Sequence, residues 1–245
     1  MEVHIRNFTS AIGAPKLADH WAVFLSSTVF WFLLYEASKV VFPRIFRQSF
    51  ARFNKVQCIN WHSRVVSLVH AVMVTAMCIP WLGHPDLTGD PITVYSHDAA
   101  RLWAIIGGYF VWDVYINARY IKIWGPPFLM HGCVGLFFCV MVFRPIMNPY
   151  GPYLVLNELS TPFLNMHWFM DKVGMAGSNL QLINGVLLLV TFFFCRLSYG
   201  MYWYIRLYAI SLMVLNCLNI IWFYKMIHSV RSRFTPQMAP KAKTT

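Results

Sequence analysis

Charged residues are scarce in this 245-residue chain, at 12% against 58% hydrophobic, and the mean hydropathy is +0.52. A soluble domain of that length needs more polar surface. Acidic residues are the scarcest: nine Asp and Glu stand against twenty Lys and Arg, for a net charge of +11. That excess invites a nucleic-acid partner. The charges sit between apolar runs, however, where they set membrane orientation, so no nucleic-acid partner is expected. The six cysteines form no CxxC pair and most fall in apolar runs. They read as small buried hydrophobes, not as disulfides or metal ligands. The start of the chain holds no apolar h-region, so no cleavable signal peptide is expected and the first span acts as the anchor. Histidine boxes, HExxH, GxSxG, a Walker loop and a dinucleotide fingerprint are all missing. The expectation is therefore no metal site and no nucleotide cofactor.

What is present is a series of apolar runs near the ~20 residues that cross ~30 Å of hydrocarbon at ~1.5 Å per residue. A membrane β-barrel needs alternating apolar and polar positions with turns every ~10 residues, and that pattern is absent. The fold class expected is an all-α polytopic membrane protein with seven transmembrane helices. The spans read Trp21–Phe42, Ser63–Leu82, Ala99–Ile116, Pro126–Arg144, Pro152–Phe169, Leu180–Cys195 and Ile205–His228. A short N-terminus (1–20) precedes them, a basic connector (43–62) follows the first span, and a basic tail (229–245) ends the chain. Pro43 opens the connector, and Pro162 falls inside the fifth span, the weakest.

Lysine and arginine gather on one side of this layout: Arg44, Arg47, Arg52, Lys55, Arg119, Lys122, Lys172, Lys225, Arg231, Arg233, Lys241 and Lys243. The other side has Arg6 and Lys16 in its loops, with Arg101, Arg144, Arg196 and Arg206 at span edges. The positive-inside rule then makes the first side cytosolic, the N-terminus lumenal and the C-terminus cytosolic. Asn7-Phe8-Thr9 is a glycosylation sequon, usable only on the lumenal side. The ending KAKTT places Lys241 and Lys243 as in the dilysine retrieval signals of endoplasmic reticulum membrane proteins, which are read by cytosolic coat machinery. The expected location is the endoplasmic reticulum membrane.

Ionisable groups inside spans cost at least ~2.5 kcal/mol each on insertion scales, so each is a functional candidate. Glu36 lies three residues before Lys39 and reads as a local ion pair. Asp113 and Glu158 have no such neighbour. At ~1.5 Å per residue, Asp113 lies roughly 5–10 Å, His70 roughly 10 Å and His131 roughly 6 Å inside the cytosolic ends of their spans. Asn165 and Asn184 fall in the same layer, Asn216 and Asn219 approach it, and Glu158 lies deeper. Interhelical hydrogen bonding alone can produce such a layer, and so can a polar-lined cavity. Pro162 favours the cavity, because a broken helix at membrane depth is tolerated where it is buried or lines a cavity. His131 stands in the first turns of a helix that starts at Pro126–Pro127, where a neutral imidazole can serve as general base or nucleophile.

The strings NWHSRVVSLVHA, WDVYI, FLMHG, NELSTPFLNMHWF and INGVLLLVTFFFCR, in that order, resemble the TLC-domain family, which includes the ceramide synthases. The resemblance covers about 60–228 and looks closest to the small TLC-domain-containing membrane proteins. It implies six helices, spans two to seven, in a barrel around a lipid-sized cavity with span one outside. It also implies catalytic candidates His131, Asp113, His70 and Glu158. Lipid-binding candidates are Arg64, Ser67, Ser160, Asn165, Trp168 and Asn184. In the synthases a motif of paired histidines and acids transfers an acyl group from acyl-CoA. Asp113 and His131 resemble the motif's first aspartate and first histidine. Gly132 stands where the second histidine would be, and Asn157-Glu158 align with its later His-Asp. Two functions follow as expectations. One is an endoplasmic reticulum protein of lipid homeostasis, which binds membrane lipids and influences phospholipid and sphingolipid composition. The other is a single-histidine acyltransferase, with acyl-CoA as substrate and His70 as a second base. A transporter would show an internal hydropathy repeat, and none is evident.

Overall fold

The computed structural model describes residues 2–90, 93–146, 148–198 and 210–234. Among them every regular element is helical and none is a strand. The longer helices are α1 (Glu2–Ala11), α2 (Trp21–Ile45), α3 (Lys55–Cys78), α4 (His97–Arg119), α5 (Pro126–Val142), α6 (Thr161–Lys172), α7 (Asn179–Phe192) and α8 (Ile210–Phe234).

Local sequence explains where several begin. Asn54 and Gln57 cap α3 reciprocally, each side chain accepting the other's backbone N–H at 2.9 Å. Ser96 caps α4 and Ser178 caps α7 through single hydroxyl acceptors. Gly125, at φ +80°, makes the left-handed turn that lets Pro126 and Pro127 open α5.

Three segments are long and apolar enough to cross a membrane by length and composition: Pro15–Ile45, Lys55–Trp81 and Asn179–Ser198. The other expected spans differ for identifiable reasons. α5 is apolar but has only 17 residues. α4 carries Asp98, Arg101, Asp113 and Arg119, which depress its hydropathy. The fifth expected span is not one helix. Gly151–Val155 is a short α-turn, Leu156–Ser160 is 3-10, and α6 starts only at Thr161. Pro162 therefore sits in the first turn of α6, where its missing N–H disturbs nothing. Pro43 lies inside the last turns of α2, so the connector starts later than the sequence suggests. The expected seventh span begins within 201–209, outside the described residues, as do Arg206, Lys241 and Lys243.

α2 packs on α3 and α4. Beyond it, contacts run from α3 to α4, α4 to α5, α5 to α8, α8 to α7, α7 to α6, and α6 back to α3. The apolar core fills the α2–α5 side with Trp31, Val66, Val74, Trp112 and Phe143. Lipid is as apolar as a leucine side chain, so membrane helices associate through close packing and polar contacts. Both occur where α2 meets α4. A Cβ on Gly108 would lie 2.7 Å from Ser27, whose hydroxyl donates to Ile105 O at 2.7 Å and accepts from Trp31 Nε1 at 2.9 Å. Glu36 and Lys39 form the expected ion pair on an exposed face. The sequon lies in α1, with Asn7 exposed but Thr9 buried and its hydroxyl bonded to Arg6 O.

Candidate functional site

A cavity of about 400 Å³ lies among α3, α4, α5, α6, α7 and α8. α3 contributes Asn60, Ser63, Arg64 and Ser67, spaced i, i+3, i+4 and i+7, so one face of an otherwise apolar helix is polar. α4 presents Tyr109, Trp112, Asp113 and Asn117; α5 presents Phe128 and His131. Glu158 comes from the 3-10 turn, Leu164 and Asn165 from α6, and Phe192 from α7. α8 closes the ring with Trp222, Lys225, Met226 and Ser229.

One part of the wall is organised by Arg196. The last turns of the α7 segment widen into a π-helix, Phe193–Ser198, which turns this guanidinium inward and buries it. Its Nε donates to Asn157 O at 2.8 Å and Ser160 Oγ at 3.1 Å. One terminal nitrogen donates to Asn219 Oδ1 at 3.3 Å, the other to Thr161 Oγ1 at 3.0 Å and Glu158 Oε1 at 3.5 Å. A single side chain thus ties the α7 end to α8 and to the broken segment before α6. π-turns inside helices often mark functional positions.

Asp113 and His131 line the same cavity, and Asp113 Oδ2 and His131 Nδ1 are buried without a hydrogen-bond partner. So are Ser63 Oγ and Trp112 Nε1 on the same wall. Buried polar atoms are nearly always bonded, so unpartnered ones set beside a cavity are exceptional and mark this wall as a candidate site. His131 touches Phe110 and Trp222 edge-on, at ring separations of 6.2 and 5.8 Å. Behind it lies a second cavity of about 80 Å³ that His131 and Glu158 share with His70 and Asn157. His70 stacks on Tyr109 with ring centroids 3.5 Å apart and has neither ring nitrogen bonded.

Elsewhere on the wall Arg64 donates to Asn165 Oδ1 at 3.0 Å and lies 5.0 Å over the Trp168 ring. Asn165 in turn donates to Ser67 Oγ at 3.1 Å.

The structure therefore brings His131, Asp113 and Glu158 to one cavity, with His70 one layer behind. Arg64, Ser67 and Asn165 line that cavity too. Trp168 supports Arg64 from outside the lining, and Ser160 supports Arg196. Asn184 donates to Phe163 O at 2.9 Å and joins α7 to α6 away from the cavity. Sequence reasoning missed Arg196, which it placed at a span edge, although the string that carries the resemblance ends on that residue. Among the described residues no cluster of three or more His, Cys, Asp or Glu could hold a metal ion.

Membrane-length apolar helices, folded around a cavity with charged groups in its wall, define a multi-pass helical membrane protein. The model of the TLC domain matches residues 60–211, more than half of the chain, and the chain belongs to the TLC-domain family. An uncharacterized TLC domain-containing protein of Schizosaccharomyces pombe is 34% identical, covering 95% of this chain and 86% of that protein. TLC domain-containing protein 4 of Homo sapiens is 31% identical, over 83% of this chain and 84% of its own. Topoisomerase I damage affected protein 4 of Saccharomyces cerevisiae is 27% identical, over 89% and 88%. No solved structure matches.

Proposed function

We propose that the chain is a lipid-binding protein of the endoplasmic reticulum membrane that influences phospholipid or sphingolipid composition. In this reading the chain crosses the membrane seven times with its N-terminus lumenal and its C-terminus cytosolic. α3 to α8 form the TLC barrel within 60–228, and α2 packs outside it. The observation that carries the reading is the 400 Å³ cavity, whose apolar walls (Ile116, Leu164, Phe192, Met226) adjoin unpartnered polar atoms. Apolar walls with a few placed polar groups are what a small-molecule site requires. The ring of helix contacts from α3 through α8 supports the barrel, and the lysine and arginine distribution supports the orientation. Lys241 and Lys243 are the proposed retrieval signal for coat machinery.

The test is to purify the full chain from native membranes and identify the lipids that remain bound by mass spectrometry. A defined lipid class should co-purify, and Leu164→Trp, which fills the cavity, should release it. Equal retention by the Leu164→Trp protein would defeat the reading.

Acyl transfer is the second reading, favoured by one observation: Asp113 and His131 share the cavity with buried atoms that have no partner. No cofactor is needed. His131 would attack the thioester of acyl-CoA, the C–S bond would break, and CoA would leave as its thiol with the imidazole proton. The acyl group would then pass to an acceptor amine or hydroxyl, whose polar head Glu158 would hold. Asp113 would orient the ring and His70 would serve as a second base. Loss of thioester, abolished by His131→Ala, is the expected result; no turnover across a broad acceptor panel would remove this reading.

A further inference from the structure

The cations that line the cavity are unlike. Arg196 is paired with Glu158 and spends its donors on five protein acceptors. Arg64 and Lys225 line the cavity as well, and among the described residues neither forms an ion pair. Arg64 uses one nitrogen on Asn165, a neutral acceptor, so most of its five N–H donors remain available. Its plane is held by Trp168 beneath and by the Ser67–Asn165 bond beside it. A guanidinium fixed in this way is preorganised for a bidentate anion. Ser63, next to Arg64 in sequence, and Trp112 line the same cavity. Ile116, Leu164 and Met226 give the same cavity an apolar wall.

We propose that Arg64 recognises a phosphate in this cavity, with Lys225 of the same lining adding a second positive charge, so that the occupant is a phosphate-bearing amphiphile and not a neutral lipid. The inference rests on the lipid-cavity reading and adds to it the chemistry of the headgroup. A phospholipid and an acyl-CoA both carry a phosphate and an acyl chain together. Both satisfy the site, and their relative affinity names the source.

The test is a tryptophan-fluorescence titration of the full chain in detergent micelles, with dioleoylphosphatidic acid, dioleoylglycerol, palmitoyl-CoA and inorganic phosphate as separate probes. Phosphatidic acid or palmitoyl-CoA should bind at least about tenfold more tightly than dioleoylglycerol, and Arg64→Gln should erase that preference while Arg64→Lys keeps part of it. Lys225 is exposed, so Lys225→Gln leaves the fold intact; it should weaken the phosphate-bearing probe by about threefold and leave dioleoylglycerol unchanged. Inorganic phosphate alone should show no saturation at concentrations that saturate phosphatidic acid. If neither phosphatidic acid nor palmitoyl-CoA binds more tightly than dioleoylglycerol, or if the preference survives Arg64→Gln, the phosphate site is overturned. If both lipids bind equally and Leu164→Trp displaces both, the cavity reading stands and only this inference falls.

Discussion

Gly132 lies directly against Asp113: a Cβ built on Gly132 would come 2.6 Å from Asp113 Oδ2 and 3.2 Å from Val114 Cγ2. The α4–α5 contact is close enough that no side chain fits at position 132 while Asp113 keeps its place. Gly132→Ala should therefore cost about 1–3 kcal/mol, the usual range for overpacking, and Gly132→His more. Unfolding of the single and double variants in micelles checks this. In Gly132→Ala with Asp113→Ala the penalty of the first change should largely disappear, because the clash is with the carboxylate. A full penalty in the double variant would place the strain on Val114.

Arg196 holds three separate elements with one guanidinium, so its loss should be felt beyond its own helix. Arg196→Ala leaves Glu158 as an unpaired buried charge, and breaking such a pair costs about 3–5 kcal/mol. Glu158→Leu with Arg196→Met removes both charges together and should recover much of that loss. Thermal unfolding of the two variants, read beside wild type, decides the matter. A double variant as unstable as Arg196→Ala would mean that the bonds to Asn157, Ser160 and Asn219 dominate, not the ion pair.

The apolar segments around α2, α3 and α7 were legible because each is a continuous run of membrane length, and hydropathy alone finds such runs. The break before α6 was legible only in part. Pro162 marked it, but the 3-10 turn at Leu156–Ser160 is held by Arg196, which comes from a helix more than thirty residues later. No local pattern encodes that contact. Arg196 does sit at a span edge, near the end of Asn179–Ser198, but its inward direction was not legible, because a cation at the end of an apolar run looks like a residue reaching the interface. Only the π-turn directs it inward, and sequence gives no signal for that. The polar layer was different. Asp113, His131, Glu158 and Asn165 stood out as polar residues in apolar surroundings, and the structure collects them on one cavity.

Gly107 and Gly108 set how closely α2 approaches α4. A Cβ on Gly107 would come 2.8 Å from the Phe24 ring, and one on Gly108 would meet Ser27 and the Thr28 backbone at 2.7 Å. Gly108→Leu should push the helices apart and break the Ser27 hydroxyl bond to Ile105 O. The expected outcome is faster proteolysis in the α2–α3 connector, with the cavity on the far side of α4 retaining whatever lipid co-purifies with wild type. Loss of bound lipid from this variant would tie α2 to the cavity, contrary to its place outside the ring.

Asp171 and Arg233 join the end of α6 to the end of α8, and Lys172 adds a second cation at 3.3 Å from the carboxylate. Burial alone would raise the Asp171 carboxyl, but the Arg233 hydrogen bond and charge, with those of Lys172, outweigh it and hold the group below its usual value. A carboxyl depressed in the folded state stabilises the fold above its unfolded pKa of about 3.9, and that contribution fades as pH falls through the folded pKa. Stability from this pair should therefore be constant from neutral pH down to about 5 and decline only below about 4. Both side chains are partly exposed, so the gain is at most about 1 kcal/mol. Asp171→Asn should lower the melting temperature slightly at pH 7, and the gap to wild type should narrow as the pH falls below about 4. Melting curves at four pH values measure it. A gap that widens on acidification would show that the carboxylate is not held in its charged form by Arg233.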